Sequence, residues 1–205
     1  MAAKFITLEG GDGAGKTVQA RLLAEALAAQ GRPVLLTREP GGAPGAEDIR
    51  TLLVQGDPQR WVPLAETMLV FAARAEHVAR TIRPALAAGM WVVCDRYMDS
   101  TAAYQGSGQG VGEATVHALR DLVGLDPDAT LILDADEATG LARSAARGGG
   151  DRYERMGASF HTRVRQAFRR IAAEEPGRCV LLDAGGDVAS VHARIMAELA
   201  MRCMT

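Results

Sequence analysis

The sequence predicts an α/β fold: a five-stranded parallel sheet covered by helices on both faces. Three observations predict it. Short apolar runs that read as strands alternate with helix-length segments along the whole chain. A parallel crossover needs a connection of that length. At 205 residues, 48% hydrophobic and 23% charged, the chain fits one domain that buries a core without disulfide or zinc support.

The elements follow in order. Lys4–Leu8 reads as a short buried strand ended by Glu9-Gly10-Gly11. Lys16 to Ala29 is a helix, with Val18, Leu22, Leu23, Ala26 and Leu27 as its apolar stripe and Gly31 as its stop. Residues 33–37 form a second strand, and Pro40 forces Glu39 out of the α region in the turn that follows. Ala46–Val54 is a short helix, and Leu64 to Ala88 a long one bent near Pro84. Strands at 90–94, 130–133 and 179–182 alternate with helices at 98–105, 112–123, 137–146, 156–173 and 188–201. Gly148-Gly149-Gly150 interrupts the pattern and suggests a short Arg-rich lid at about 143–155.

Net charge is −2, which does not point to a nucleic-acid partner. Yet 21 of the 23 basic residues are arginine, a side chain whose rigid fork suits phosphate and carboxylate. A GC-rich genome also raises arginine and shares the credit. Cys94, Cys179 and Cys203 form no CxxC pair. No signal-like or membrane-length apolar run is visible, so the expectation is a cytoplasmic protein without a membrane partner.

Gly10-Gly11-Asp12-Gly13-Ala14-Gly15-Lys16-Thr17 matches GxxxxGK(S/T) at every fixed position. It follows a strand and opens a helix, as a phosphate cradle demands. Glycines let backbone N–H groups turn toward phosphate oxygens, and the helix N-terminus adds its dipole. Lys16 would reach the β/γ-phosphates and Thr17 would bind Mg²⁺. The fold is therefore expected to be of the P-loop NTPase type, with a nucleoside triphosphate as ligand.

Three uses of such a loop compete: a small-molecule kinase, a GTPase switch and a nucleic-acid motor. A guanine-reading Asn/Thr-Lys-x-Asp motif is impossible, since the chain has no asparagine and only Lys4 and Lys16. Nine aromatics and a near-neutral charge argue against a motor. A kinase needs a second, acceptor-binding set, and the chain carries further segments that stand out: Thr37-Arg38-Glu39-Pro40-Gly41-Gly42, Phe71-Ala72-Ala73-Arg74-Ala75-Glu76-His77-Val78, Asp95-Arg96-Tyr97, Ser100-Thr101-Ala102-Ala103-Tyr104-Gln105-Gly106 and, in the Arg-rich lid, Asp151-Arg152-Tyr153-Glu154.

In these segments, in this order, the chain resembles the thymidylate kinases over about residues 4–183. The resemblance implies phosphorylation of dTMP to dTDP with ATP and Mg²⁺, in a single domain that usually forms a homodimer. It implies that Phe71 stacks on thymine while Arg74 bonds the base edge. Residues three apart on a helix share a face, although the helix alone equally suits a core phenylalanine beside a solvated arginine. Arg96, Arg38 and Arg50 would hold the acceptor phosphate, Glu39 would shape its loop, and Asp95 would support the metal with Thr17. Thr101, Tyr104 and Gln105 would line the nucleoside pocket, Tyr104 blocking a 2′-hydroxyl, and Asp12 would sit near the 3′-hydroxyl. With no arginine in the P-loop, Arg147 and Arg152 of the lid would supply the catalytic charge, and Arg143 would flank adenine.

The chain departs from the family pattern in two places. Val18 stands where many members have a second threonine, and Asp136 replaces a helix-starting proline as N-cap. The four histidines show no ligand spacing and read as bland. The apolar faces of 64–88 and 112–123 are the candidate dimer surface.

Overall fold

The structure, a computed structural model, describes residues 2–136, 140 and 151–203. Strands β1 (Phe5–Gly10), β2 (Val34–Arg38), β3 (Trp91–Asp95), β4 (Ala129–Asp134) and β5 (Cys179–Asp183) pair in the order β2-β3-β1-β4-β5, all parallel. The helices are α1 (Lys16–Ala29), α2 (Pro44–Val54), α3 (Pro63–His77), α4 (Arg83–Ala87), α5 (Met98–Thr101), α6 (Glu113–Val123), α7 (Ala158–Glu174) and α8 (Val188–Cys203). Of the expected helix at 137–146 only Gly140 is described, in helical conformation; Arg143 and Arg147 lie outside the described residues.

Period-2 alternation sorts the strand side chains into two layers. Ile6, Leu8, Val93, Leu131 and Leu133 pack against Leu23 and Leu27 of α1 and Ile195 and Leu199 of α8. Phe5, Val92 and Cys94 pack against Phe71, Val78, Ile82 and Val116 on the other face, where Ile132 meets Phe160, Val164 and Phe168 of α7. Each fully buried Leu, Ile or Phe contributes about 1.5–3 kcal/mol relative to exposure. These layers hold the sheet rim rigid. Among the described residues no helix is long and apolar enough to cross a membrane.

Every strand runs one or two residues further toward its carboxyl end than its apolar run predicts. The ladder continues through Arg38↔Asp95, Gly10↔Leu133 and Asp134↔Asp183. Backbone pairing is indifferent to side-chain polarity, so hydrophobicity marks the strand ends too early. The extra residues place Glu9, Arg38 and Asp95 at the rim.

The long helix differs from the expected simple bend. After α3 the chain widens into a π-helical stretch, Val78–Ile82, before α4. Pro84 has no N–H to donate and its ring crowds the preceding turn, and the wider turn accommodates it. A second π stretch, Ala102–Gly108, extends α5 three residues beyond the predicted end. π turns often occur at functional sites.

Candidate active site

The first βα turn forms the floor of the site. Gly10 (φ 129°) lies against β4, where a Cβ would fall 2.3 Å from the Leu133 carbonyl oxygen, so no other residue fits. Gly15, the N-cap of α1, is left-handed at φ 94°. No side chain caps α1 and its first turn carries no acid. Its orphan N–H groups and positive dipole end are left for an anion.

Lys16 is buried and donates Nζ to the Gly11 carbonyl at 2.6 Å. Burial, with Arg96 nearby, pushes its pKa down to about 8. Thr17 donates Oγ1 to Asp95 Oδ2 at 2.5 Å, joining α1 to the end of β3. This pair of hard oxygen donors fits Mg²⁺, which takes one or two protein ligands and completes its shell with water and phosphate. Among the described residues no cluster of three or more His, Cys, Asp or Glu could cage a metal without a substrate.

Arg96 is the centre of the charge. Among the described residues it is the only non-glycine with positive φ, at 69°. Its Nη1 donates to the Gly10 carbonyl and Ser100 Oγ, each at 3.1 Å, and its Nη2 to Asp12 and the Tyr104 hydroxyl. Burial opposes its charge, but Tyr104, Asp12, Asp95 and Glu9 more than compensate and hold its pKa above the usual range. Burial likewise pushes Asp12 up, yet Arg96 and Lys16 win and its pKa is lowered. Tyr104 donates its hydroxyl to Asp12 Oδ2 at 2.9 Å.

Glu9, fully buried, fixes the strained turn at Arg96. It accepts the Tyr97 N–H at 2.8 Å and the Ser100 hydroxyl at 2.6 Å. Burial, reinforced by Asp99, raises its pKa to about 7.

These groups open on one cleft of about 440 Å³ that runs from Lys16 and Thr17 past Arg38, Arg50 and Arg96 to Arg74, Thr101, Tyr104 and Gln105. Arg50 donates to the Pro40 carbonyl at 2.7 Å, and Arg38 pairs with Glu47 at 2.9 Å. Burial, then the like charge of Arg38, lowers the Arg50 pKa. Cations so close together create a site where an anion is favoured.

At the far end, Glu39 sits before a cis peptide to Pro40 and lines the same cleft. It accepts Arg74 Nε at 2.7 Å and His77 Nδ1 at 3.0 Å. Arg74 Nη2 donates to the Tyr97 carbonyl and Thr101 Oγ1, both at 2.9 Å.

Two sequence expectations need correction. Phe71 does not face the cleft; it is buried among Phe5, Val78, Ile82 and Val92, with the Arg74 guanidinium 5.0 Å from its ring centroid. The residue on the cleft wall is Val70, four positions before Arg74. One residue rotates the helix by about 100°, enough to turn Phe71 onto the sheet.

Arg152 is not an open cationic finger. It is fully buried, donating Nε to Leu53 O at 2.9 Å, Nη1 to Pro58 O at 2.8 Å and Nη2 to Glu66. Three of its five N–H groups are held by the protein and the side chain does not line the cleft, so it does not reach a phosphate there in this arrangement.

Sequence reasoning missed Glu66 and His77. His77, read as bland, is fully buried and links Glu39 to Thr37, its Nε2 lying 2.8 Å from the Thr37 hydroxyl. In the neutral ring, with Nδ1 donating to the carboxylate, Nε2 accepts from the Thr37 hydroxyl. A signal for Glu66 exists in its spacing: 66, 70 and 74 lie four apart and share one helix face.

A family model described as Thymidylate kinase matches residues 8–195. A thymidylate kinase from Rhizorhabdus wittichii is 50% identical over 204 residues, covering 98% of each chain. One from Caulobacter vibrioides is 50% identical over 193 residues, covering 93% of each. The crystal structure of thymidylate kinase from Ehrlichia chaffeensis superposes with a TM-score of 0.81 at 36% identity, covering 97% of this chain and 100% of that one. A P-loop at the rim of a parallel sheet, an arginine-lined cleft beside it and this agreement over nearly the full length identify a nucleoside monophosphate kinase: the chain belongs to the thymidylate kinase family.

Proposed function

We propose that the chain transfers the γ-phosphoryl group of ATP, taken as its Mg²⁺ complex, in line to the phosphate of dTMP, giving dTDP and ADP. One observation carries this mechanism. The P-loop end and the cations Arg38, Arg50 and Arg96 open on the same cleft, so two anionic nucleotides entering from its two ends meet over Lys16 and Arg96.

The acceptor is already an oxyanion, so no strong general base is required. Positioning and charge neutralisation do the chemistry. Lys16 and the N–H groups of Gly13 to Thr17 hold the donor phosphates. Thr17 and Asp95 would hold Mg²⁺, which when bound neutralises charge on the transferred group. Arg96, with Arg38 and Arg50, orients the acceptor oxygen toward the donor.

Tyr104, held by Asp12 and Arg96, closes the sugar side against a 2′-hydroxyl, with Asp12 beside the 3′-hydroxyl. Arg74, Thr101, Gln105 and Val70 surround the base, with Glu39 orienting Arg74. Arg143 and Arg147, outside the described residues, are the arginines left for adenine and the transferred phosphoryl group.

A homodimer is supported by exposed apolar side chains on two helices that touch, Leu64 and Met68 of α3 and Leu122 of α6, with Val62 just before α3. Water-soluble nucleotide substrates support a cytoplasmic location.

ADP release with ATP, Mg²⁺ and each nucleoside monophosphate tests the mechanism. dTMP is expected to give the highest kcat/KM. Faster turnover of AMP, CMP or GMP would reject the acceptor assignment, and acceptor-independent slow hydrolysis would indicate a binding switch instead. Sedimentation equilibrium tests the dimer, and a monomer at micromolar concentration would remove it.

A further inference from the structure

Several buried donors converge on Glu66, a residue that does not touch the cleft. Its Oε1 accepts Gln105 Nε2 at 2.8 Å and Gln109 Nε2 at 2.6 Å, and its Oε2 takes Arg152 Nη2. Glu66 and Arg152 are both fully buried. The guanidinium cannot turn away, because its other edges are held by the carbonyls of Leu53 and Pro58.

A carboxylate has acceptors only. Gln105 must therefore present its N–H to Glu66, and its Oε1 is the polar end left for the cleft it lines. A primary amide in an uncommitted environment can offer either end, but this one cannot. Four residues earlier, Thr101 helps hold Arg74, a group with donors only. Four of the five N–H groups of Arg74 are held by Glu39, Met98, Tyr97 and Thr101, which leaves one on Nη1, so the base end of the cleft combines that donor with an acceptor from Gln105. Thymine and uracil carry a C4 carbonyl beside an N3–H, which complements that pair. Cytosine carries an amino group beside a bare N3, which reverses it.

We propose that Glu66 is a positioning residue that sets which pyrimidine is accepted, by fixing the Gln105 amide with its oxygen toward the base, while Arg152 fixes Glu66. The proposal rests on the thymidylate kinase mechanism above and adds to it a residue that never meets substrate.

The test compares dTMP, dUMP and dCMP as acceptors for the wild type, Glu66→Gln and the double variant Glu66→Gln/Arg152→Met. In Glu66→Gln, Arg152 claims the one carbonyl oxygen of the new amide, and the amide NH₂ turns toward Gln105. Gln105 then flips and shows the base a donor. The ratio of kcat/KM for dTMP over dCMP is expected to fall about tenfold or more, dUMP to fall in parallel with dTMP, and KM for ATP to hold.

The double variant removes the buried charge together with its partner, which guards against a folding failure. Its neutral amide accepts either orientation of Gln105, so its ratio falls as well. A wild-type ratio in either folded variant overturns the proposal, and so does a loss of selectivity matched by an equal rise in KM for ATP. Calorimetric titration of the wild type needs no variant: dCMP binding as tightly as dTMP overturns it too. A wild type that turns over none of the three removes the kinase mechanism and this proposal together. A dTMP-selective wild type whose variants stay selective removes this proposal alone.

Discussion

Along Gly10–Thr17 the groups offered to a ligand are backbone N–H groups and two side chains, all within eight consecutive residues. Across the cleft they are side chains alone, drawn from β2, α2, α3, the end of β3 and the π stretch after α5. The floor is held by peptide geometry: Gly10 against Leu133 and Gly15 in a left-handed cap. The wall is held by buried carboxyl groups: Glu39 between Arg74 and His77, Glu9 behind the strained Arg96, and Glu66 behind Gln105. A backbone-built site tolerates little change in spacing but much in its surroundings. A site built from side chains depends on partners that the substrate never meets.

The largest effect separating the two regions is expected at Lys16. Lys16→Met removes the floor's ammonium and should lower kcat by about 10²–10³-fold or more while dTMP binding persists. The fold should not suffer, because burial already disfavours the ammonium and holds its pKa near 8 rather than 10.5. The sign follows from that depression. The unfolded chain binds the proton more tightly, so the lysine costs stability at pH 7 and the cost disappears as pH rises from about 8 to 10.5. Lys16→Met should therefore raise the melting midpoint at pH 7 and raise it less as pH increases through that window. For the wild type, kcat/KM for ATP should decline above about pH 8, since the free enzyme then loses the charge. A flat profile to pH 9.5 would separate Lys16 from the donor phosphates.

Arg96 is the wall's counterpart, and its replacement should reduce kcat/KM for dTMP by about 10²-fold while sparing KM for ATP. Two replacements sharpen the result. Arg96 sits at φ 69°, which glycine adopts freely and alanine does not. Arg96→Gly and Arg96→Ala should lose similar activity, but the glycine variant should be the more stable by about 1 kcal/mol in urea denaturation. Equal midpoints would mean that the turn relaxes without cost.

Arg152 distinguishes a charge that serves the fold from one that serves chemistry. Arg152→Ala leaves Glu66 buried and unpaired, a loss of about 3–5 kcal/mol. At about 2–4 °C per kcal/mol for a chain of this size, the melting midpoint should drop by about 10 °C. A midpoint within 2 °C of wild type, with kcat down a hundredfold, would return Arg152 to the role of phosphate contact that its motif suggests.

The contrast between floor and wall also explains what was legible in the sequence. A P-loop is contiguous, and its letters carry its geometry. The sheet was legible because period-2 and period-3.6 hydrophobicity both follow from burial. The strand ends were not, since pairing runs on through Arg38, Asp95 and Asp134 regardless of polarity. On the wall, the resemblance brought Arg38, Glu39, Arg50, Arg74, Thr101, Tyr104 and Gln105 to one cleft, where the structure also has them. It assigned no role to Glu66 or His77, whose partners lie 38 to 86 residues away in the chain. A buried carboxylate or imidazole is recognisable only once its partners surround it.

Helix rotation accounts for the remaining error and for the smallest effect expected. Phe71 packs on the sheet and Val70 on the cleft, although a single residue separates them. Phe71→Leu should lower stability by about 1–2 kcal/mol, as a buried aromatic replaced by a smaller apolar group, and leave KM for dTMP within twofold. Val70→Ala should do the reverse. It removes two methyl groups from the wall beside Arg74 and Gln105, worth about 0.8 kcal/mol per buried carbon, and so should raise KM for dTMP several-fold with little change in KM for ATP. Steady-state kinetics on the pair, read against their urea midpoints, decide which side chain the base meets. If Phe71→Leu proves the more damaging to dTMP, the helix turns in the bound enzyme and the ring, not the isopropyl group, forms the pocket wall.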